Sequence, residues 1–328
     1  MKGWAGWLDQ HQIVLYLATI AVAAVVGVLA PEAHHLEVAI NPVLGLLLYA
    51  TFLGVPLTEL GAGFRDGRFL VAVFGLNFVG VPVVAYSLSR LVADQPALLF
   101  GVLLVLLTPC IDYVIVFSEL AGGASARLLA AAPLLMVAQI LLLPLYLLLF
   151  IGPAGMVAVE VGPFVEAFLV LIVLPLAAAA ATQAWGRRYR LGQRVSSSVL
   201  ALMVPLMMAT LAVVVASQAG GIGDQASRLL VLVPIYASFL VVMAFLGVTV
   251  GRLLSLDVAA RRALVFSGAT RNSLVVLPLA LALPAPLELV PAVVVTQTLV
   301  ELIGMVAYVR AVPRLVPAPD TSRPLLPS

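Results

Sequence analysis

Long apolar runs alternate with short polar connections along the whole chain. The runs fall at roughly 12–30, 42–60, 69–91, 97–119, 128–151, 162–184, 196–217, 229–251, 260–283 and 286–309. Each is close to the ~20 residues that a helix needs to cross a ~30 Å hydrocarbon core. They are continuously apolar instead of alternating with period two, which argues against a transmembrane β-barrel. The connections are punctuated by Gly, Pro and charge, as in Gly63-Phe-Arg-Asp-Gly-Arg68, Gly152-Pro-Ala-Gly155 and Pro284-Ala-Pro286. The pattern predicts an all-α polytopic membrane protein of ten transmembrane helices.

Composition agrees, with 63% hydrophobic and 10% charged residues and a mean hydropathy of +1.19. The charge pattern adds topology. With the amino terminus inside, 14 of the 17 Lys and Arg fall in inner segments, Arg90 and Arg228 fall outside, and Arg271 lies within a run. This positive-inside bias predicts a multi-pass protein of the plasma (inner) membrane with both termini cytoplasmic. The first run is long for a cleavable signal peptide and reads as the first span. The single cysteine allows no intramolecular disulfide.

An even number of spans suggests two five-span halves of opposite orientation, residues 1–151 and 152–312, followed by a disordered cytoplasmic tail at 313–328. Pro133 is followed six residues later by Gln139, and Pro291 six residues later by Gln297. Inverted repeats with interrupted helices at matching places point to a secondary transporter with its site near the midplane.

Two stretches stand out against the apolar background: Leu107-Thr-Pro-Cys-Ile-Asp-Tyr-Val-Ile-Val-Phe117 and Phe266-Ser-Gly-Ala-Thr-Arg-Asn-Ser-Leu-Val-Val276. Each puts a helix break (Pro109, Gly268) and a charge in mid-run. Broken backbone at membrane depth is tolerated only where it is buried in protein or lines a cavity, and intramembrane charges mark pathways. Helices four and nine are therefore expected to be discontinuous, to cross, and to form the transport site. Pro109 should free carbonyls near position 105.

Cys110 adjoins the break, although a lone cysteine is more often a small buried hydrophobe. Asp112 and Arg271 are expected to pair, either as a lock between the two helices or as a charge pair made and broken in a cycle. Asn272, Gln139 and Gln297 are candidate substrate contacts, with Thr270, Ser273, Thr296 and Thr298 as further polar groups. Interhelical hydrogen bonding is the plain alternative for all of them. Glu301, one turn past Gln297, is the candidate proton-coupling acid. Glu59, Glu119 and Glu166 read as interfacial, and His34, His35 and Glu37 as a solvated outer loop. No histidine base accompanies a nucleophile within a span, and no phosphate-binding loop is present, so neither an intramembrane enzyme nor a nucleotide-driven pump within this chain is indicated. No cofactor is implied. A receptor-like scaffold without flux remains a further alternative.

The run Pro109-Cys-Ile-Asp-Tyr-Val-Ile-Val-Phe-Ser-Glu-Leu-Ala-Gly-Gly123 resembles the fourth span of the arsenite-efflux permeases, and Leu299-Val-Glu-Leu302 resembles their last span. The broader similarity is to the bile acid/sodium symporter superfamily. That resemblance implies ten spans in two inverted repeats with helices four and nine crossed. It implies export of arsenite or antimonite by alternating access in exchange for protons, with Cys110 as the contact. Trivalent arsenic is thiophilic, and soft ligands select soft centres. Thr270-Arg-Asn-Ser-Leu274 departs from the permeases, which carry an acid in that run, and Asp112 stands where they have an uncharged residue. The alternative implied by the superfamily is a sodium-coupled organic anion symporter, with Arg271 facing the anion and Gln139, Asn272 and Gln297 coordinating sodium.

Overall fold

The apolar runs fold as helices in the computed structural model, which describes residues 2–54, 66–111, 113–156, 169–219, 226–284 and 287–318. The first helices are α1 (Lys2–Leu29) and α2 (Glu37–Gly54). Next come α3 (Gly67–Gly75), a π-helical turn (Leu76–Gly80) and α4 (Val81–Ser89). Two short helices, α5 (Pro96–Leu106) and α6 (Tyr113–Leu120), precede the long α7 (Ser125–Met156). In the second half lie α8 (Leu174–Arg188), α9 (Arg190–Ala201), α10 (Met203–Ala219) and α11 (Ala226–Leu230). They are followed by α12 (Leu232–Leu253), α13 (Val258–Ala269), α14 (Ser273–Leu281) and α15 (Val290–Leu315). The described residues hold no strand, only an isolated antiparallel bridge between Pro109 and Arg271.

Four stretches are long and apolar enough to cross a bilayer, namely Gly67–Val92, Ser125–Gly152, Ser227–Leu253 and Val290–Leu315. A fifth is the pair Arg190–Ala201 and Met203–Ser217, bent by 46°. The bend has a local cause, because Pro205 has no N–H to offer the carbonyl of Ala201 across it.

The helices pack as two groups. In one, α1 and α2 both lie on α10, and α8 lies on α2 and α9. In the other, α12 packs on α13 and α15, α15 on α5 and α14, and α6 on α7 and α13. The chief contact between the groups is α14 on α2. Close approach within the second group depends on small residues: a Cβ at Gly101 of α5 would lie 2.7 Å from Val293 Cγ1 of α15.

At one end of the second group, two helix starts are tied together. Asp66 caps α3 by accepting from Phe69 N at 3.1 Å, and Asp257 caps α13 by accepting from Ala260 N at 2.9 Å. Arg127, in the first turn of α7, reaches both carboxylates, at 3.3 Å and 2.6 Å.

Candidate functional site at the joint between two broken helices

Both breaks begin with a threonine that caps the helix it leaves. Thr108 Oγ1 donates to Val105 O at 2.8 Å after α5, and Thr270 Oγ1 donates to Phe266 O at 2.9 Å after α13. The chain then turns extended and the two segments pair antiparallel. Cys110 N donates to Thr270 O at 3.2 Å and Asn272 N to Thr108 O at 2.8 Å. Pro109 and Arg271 face each other across this bridge as the pair that exchanges no hydrogen bonds. A proline fits there because its missing N–H is not required.

The same register turns Arg271 N away from the bridge, and it donates to Glu301 Oε2 on α15 at 2.8 Å. Glu301 is 1% exposed. Gln297 Nε2, one turn earlier, donates to the same oxygen. The Tyr113 hydroxyl, at the start of α6, lies 2.5 Å from Glu301 Oε1 and 2.8 Å from Arg271 O. Its single proton serves one of these acceptors at a time.

The Arg271 side chain is completely buried. Nη2 donates toward Ser267 O (2.7 Å), Gly268 O (2.8 Å) and Asn77 Oδ1 (2.9 Å), and Nη1 toward Leu106 O at 3.2 Å. The guanidinium carbon lies 5.6 Å from the centre of the Phe239 ring, within cation–π range. The ends of α5 and α13 supply three of these oxygens, so the negative ends of two helix dipoles meet the cation.

The sequence-predicted residues are distributed as follows. Cys110 is buried in the bridge, within electrostatic reach of Arg271. Pro109, Cys110, Arg271, Asn272, Gln297 and Glu301 are brought together around the joint. Asp112 lies outside the described residues, as do Glu59 and Glu166. The carbonyl near position 105 that the arginine takes is that of Leu106, whereas Val105 O is claimed by Thr108. Gly268 is not itself the break, since α13 runs on to Ala269. A Cβ there would lie 2.6 Å from Leu76 Cδ2, so glycine lets the carbonyl end of α13 settle against the π-helical turn. Gln139 is buried on α7, with Oε1 unpartnered among the described residues. Asn272 Nδ2, Ser273 Oγ and Gln297 Oε1 are likewise buried without a partner among them.

Sequence reasoning missed Asn77, Ser267 and Tyr113. Asn77 holds the cage by its Oδ1 while its Nδ2 donates to Ser267 Oγ at 2.9 Å and Val73 O at 3.0 Å. A lone Asn inside Phe74-Gly-Leu-Asn-Phe78 was itself the available signal.

A narrow crevice of about 10 Å³, room for one water at most, lies between the two helix groups beside the joint. Ile20, Leu211 and Val214 line one wall, and Ser273, Leu277 and Thr298 the other. Residues 41–227, more than half of the chain, match the profile of the Sodium Bile acid symporter family. The match takes in the first break and ends before the second. A search of curated proteins returns no match.

Proposed function

Because the chain belongs to the Sodium Bile acid symporter family, a family of membrane transporters, we propose that it is a secondary carrier exporting arsenite or antimonite. The observation that carries this reading is the placement of the chain's single thiol, Cys110, in the bridge that joins the two broken helices. A single soft sulfur captures a thiophilic oxyacid weakly and reversibly, as a carrier requires.

In this reading α5 with α6, and α13 with α14, are each one interrupted span, and the chain has ten spans in two inverted halves. The two helix groups are its moving parts. They rock across the contact of α14 with α2, and the crevice between them opens to one side of the membrane and then the other. Ser273 Oγ and Asn272 Nδ2 are polar groups available to the cargo at the start of α14.

Glu301 is the proton site. The Tyr113 hydroxyl oxygen stands between two acceptors, and one added proton on Glu301 Oε1 satisfies both, running from Glu301 to Tyr113 to the carbonyl of Arg271. Arg271, Tyr308 and Tyr113 are the charged and titratable groups around it. In Glu301→Gln, transport should lose its response to a pH gradient while exchange of cargo across equal pH continues.

The test of the cargo uses cells lacking their own arsenite exporters, expressing either the intact protein or Cys110→Ser at equal membrane levels. The intact protein should lower intracellular arsenite and the serine variant should not. If neither lowers it, the metalloid reading fails. The family match favours a second reading, a sodium-coupled organic anion symporter, which tolerates serine at position 110 and is checked by sodium-dependent anion uptake.

A further inference from the structure

The oxygens around Arg271 crowd one nitrogen instead of matching the planar fork one for one. Nη2 carries two hydrogens, yet three oxygens stand 2.7, 2.8 and 2.9 Å from it, those of Ser267, Gly268 and Asn77. Leu106 O adds a fourth to the shell through Nη1 at 3.2 Å. A guanidinium recognises a matched partner in its own plane, with one acceptor for each N–H. Here the acceptors outnumber the protons at one nitrogen, while Nε has no partner among the described residues. The shell is made of carbonyls at the ends of two interrupted helices plus one side-chain amide oxygen. Unwound carbonyls and half-helix C-termini are the groups by which transporters coordinate a coupling cation.

We propose that the Arg271 guanidinium is a tethered cation that fills an alkali-cation cage at the joint, so that this chain takes up no sodium there. The positive charge that other carriers would draw from solution is covalently part of the protein. It also stays through the cycle, which leaves the coupling to another ion. The inference rests on the reading of the chain as a carrier of this family, and it gives that carrier's joint its ion preference.

The test is thermal unfolding of the purified full chain in lipid nanodiscs, comparing sodium chloride with choline chloride at equal ionic strength. The intact protein should unfold at the same midpoint in both. Arg271→Ala should unfold earlier in choline and recover by a few degrees with sodium or with low concentrations of guanidinium, and it should bind radioactive sodium that the intact protein does not. Sodium stabilisation of the intact protein overturns the proposal, as does an Arg271→Ala variant indifferent to both cations. Should Arg271→Ala not fold, Arg271→Lys keeps a charge in the cage and should match the intact protein in its indifference to sodium. A lysine variant stabilised by sodium counts against the tethered cation. None of these readouts uses a cargo, so a failed arsenite assay leaves them intact, and a sodium-stabilised protein leaves the arsenite assay intact.

Discussion

Replacing Asn77 by leucine keeps a branched side chain in the π-helical turn and removes every polar contact made there. The largest loss is the bond from Arg271 Nη2 to Asn77 Oδ1, 2.9 Å long and buried on both sides. A bond to a charged group is worth about 1.5–3 kcal/mol. The bond from Nδ2 to Ser267 Oγ, between neutral groups, adds about 0.6 kcal/mol in a membrane interior. Together they give a destabilisation of about 2–4 kcal/mol, or a fall in unfolding midpoint of about 3–6 °C for a chain of this length. Ser267→Ala removes the weaker bond alone and should cost about 0.6 kcal/mol. Thermal unfolding of both variants in the same nanodiscs makes the comparison. If Asn77→Leu falls no further than Ser267→Ala, the charged bond contributes nothing measurable, and the account of how the buried arginine is held is wrong.

Gly101→Ala should destabilise by about 1–3 kcal/mol, because the new Cβ meets the branched Val293 at 2.7 and 2.8 Å with no flexible atom to give way. Gly45→Ala in α2, where a Cβ meets nothing within 4 Å, should be neutral or stabilise by about 0.5–1 kcal/mol, and chemical unfolding separates the two. At the tied helix starts, Arg127→Ala should cost under about 1 kcal/mol because its ion pairs are partly exposed, whereas Asp257→Ala loses a cap worth about 1 kcal/mol. Burial raises the Asp257 carboxyl, but the Ala260 N–H and Arg127 outweigh it and hold the group below its ordinary value. The folded state therefore gains from Asp257 above the unfolded value of about 3.9, and the gain disappears as pH falls through the lower folded value. Unfolding midpoints of intact protein and Asp257→Ala should diverge at neutral pH and converge under strong acid.

The membrane class was legible in hydropathy alone, and so were the two breaks, because a proline next to a cysteine or a charge beside Thr270 contradicts its apolar surroundings. The bridge itself was not legible. It is made by main-chain groups of Thr108, Cys110, Thr270 and Asn272, and main-chain pairing leaves no trace in residue type. Asp112, the carboxylate expected to pair with Arg271, lies outside the described residues; among those described, carbonyl oxygens and helix ends, which every sequence contains, surround the guanidinium. Gln297 and Glu301 were placed together correctly by their spacing of one helical turn. Asn77 escaped notice because it lies in an unbroken run, where one polar residue reads as ordinary interhelical bonding.

Because the two broken segments are held by N–H and C=O groups, their union is nearly indifferent to which side chains stand there. Cys110 and Asn272 can be exchanged for most other residues without cutting a strut, and proline at either place is the exception, since each gives its amide hydrogen to the opposite segment. Such a junction separates what must stay constant from what can drift. Residue types at these two places can change, one substitution at a time, while the union of the broken segments passes through each change intact.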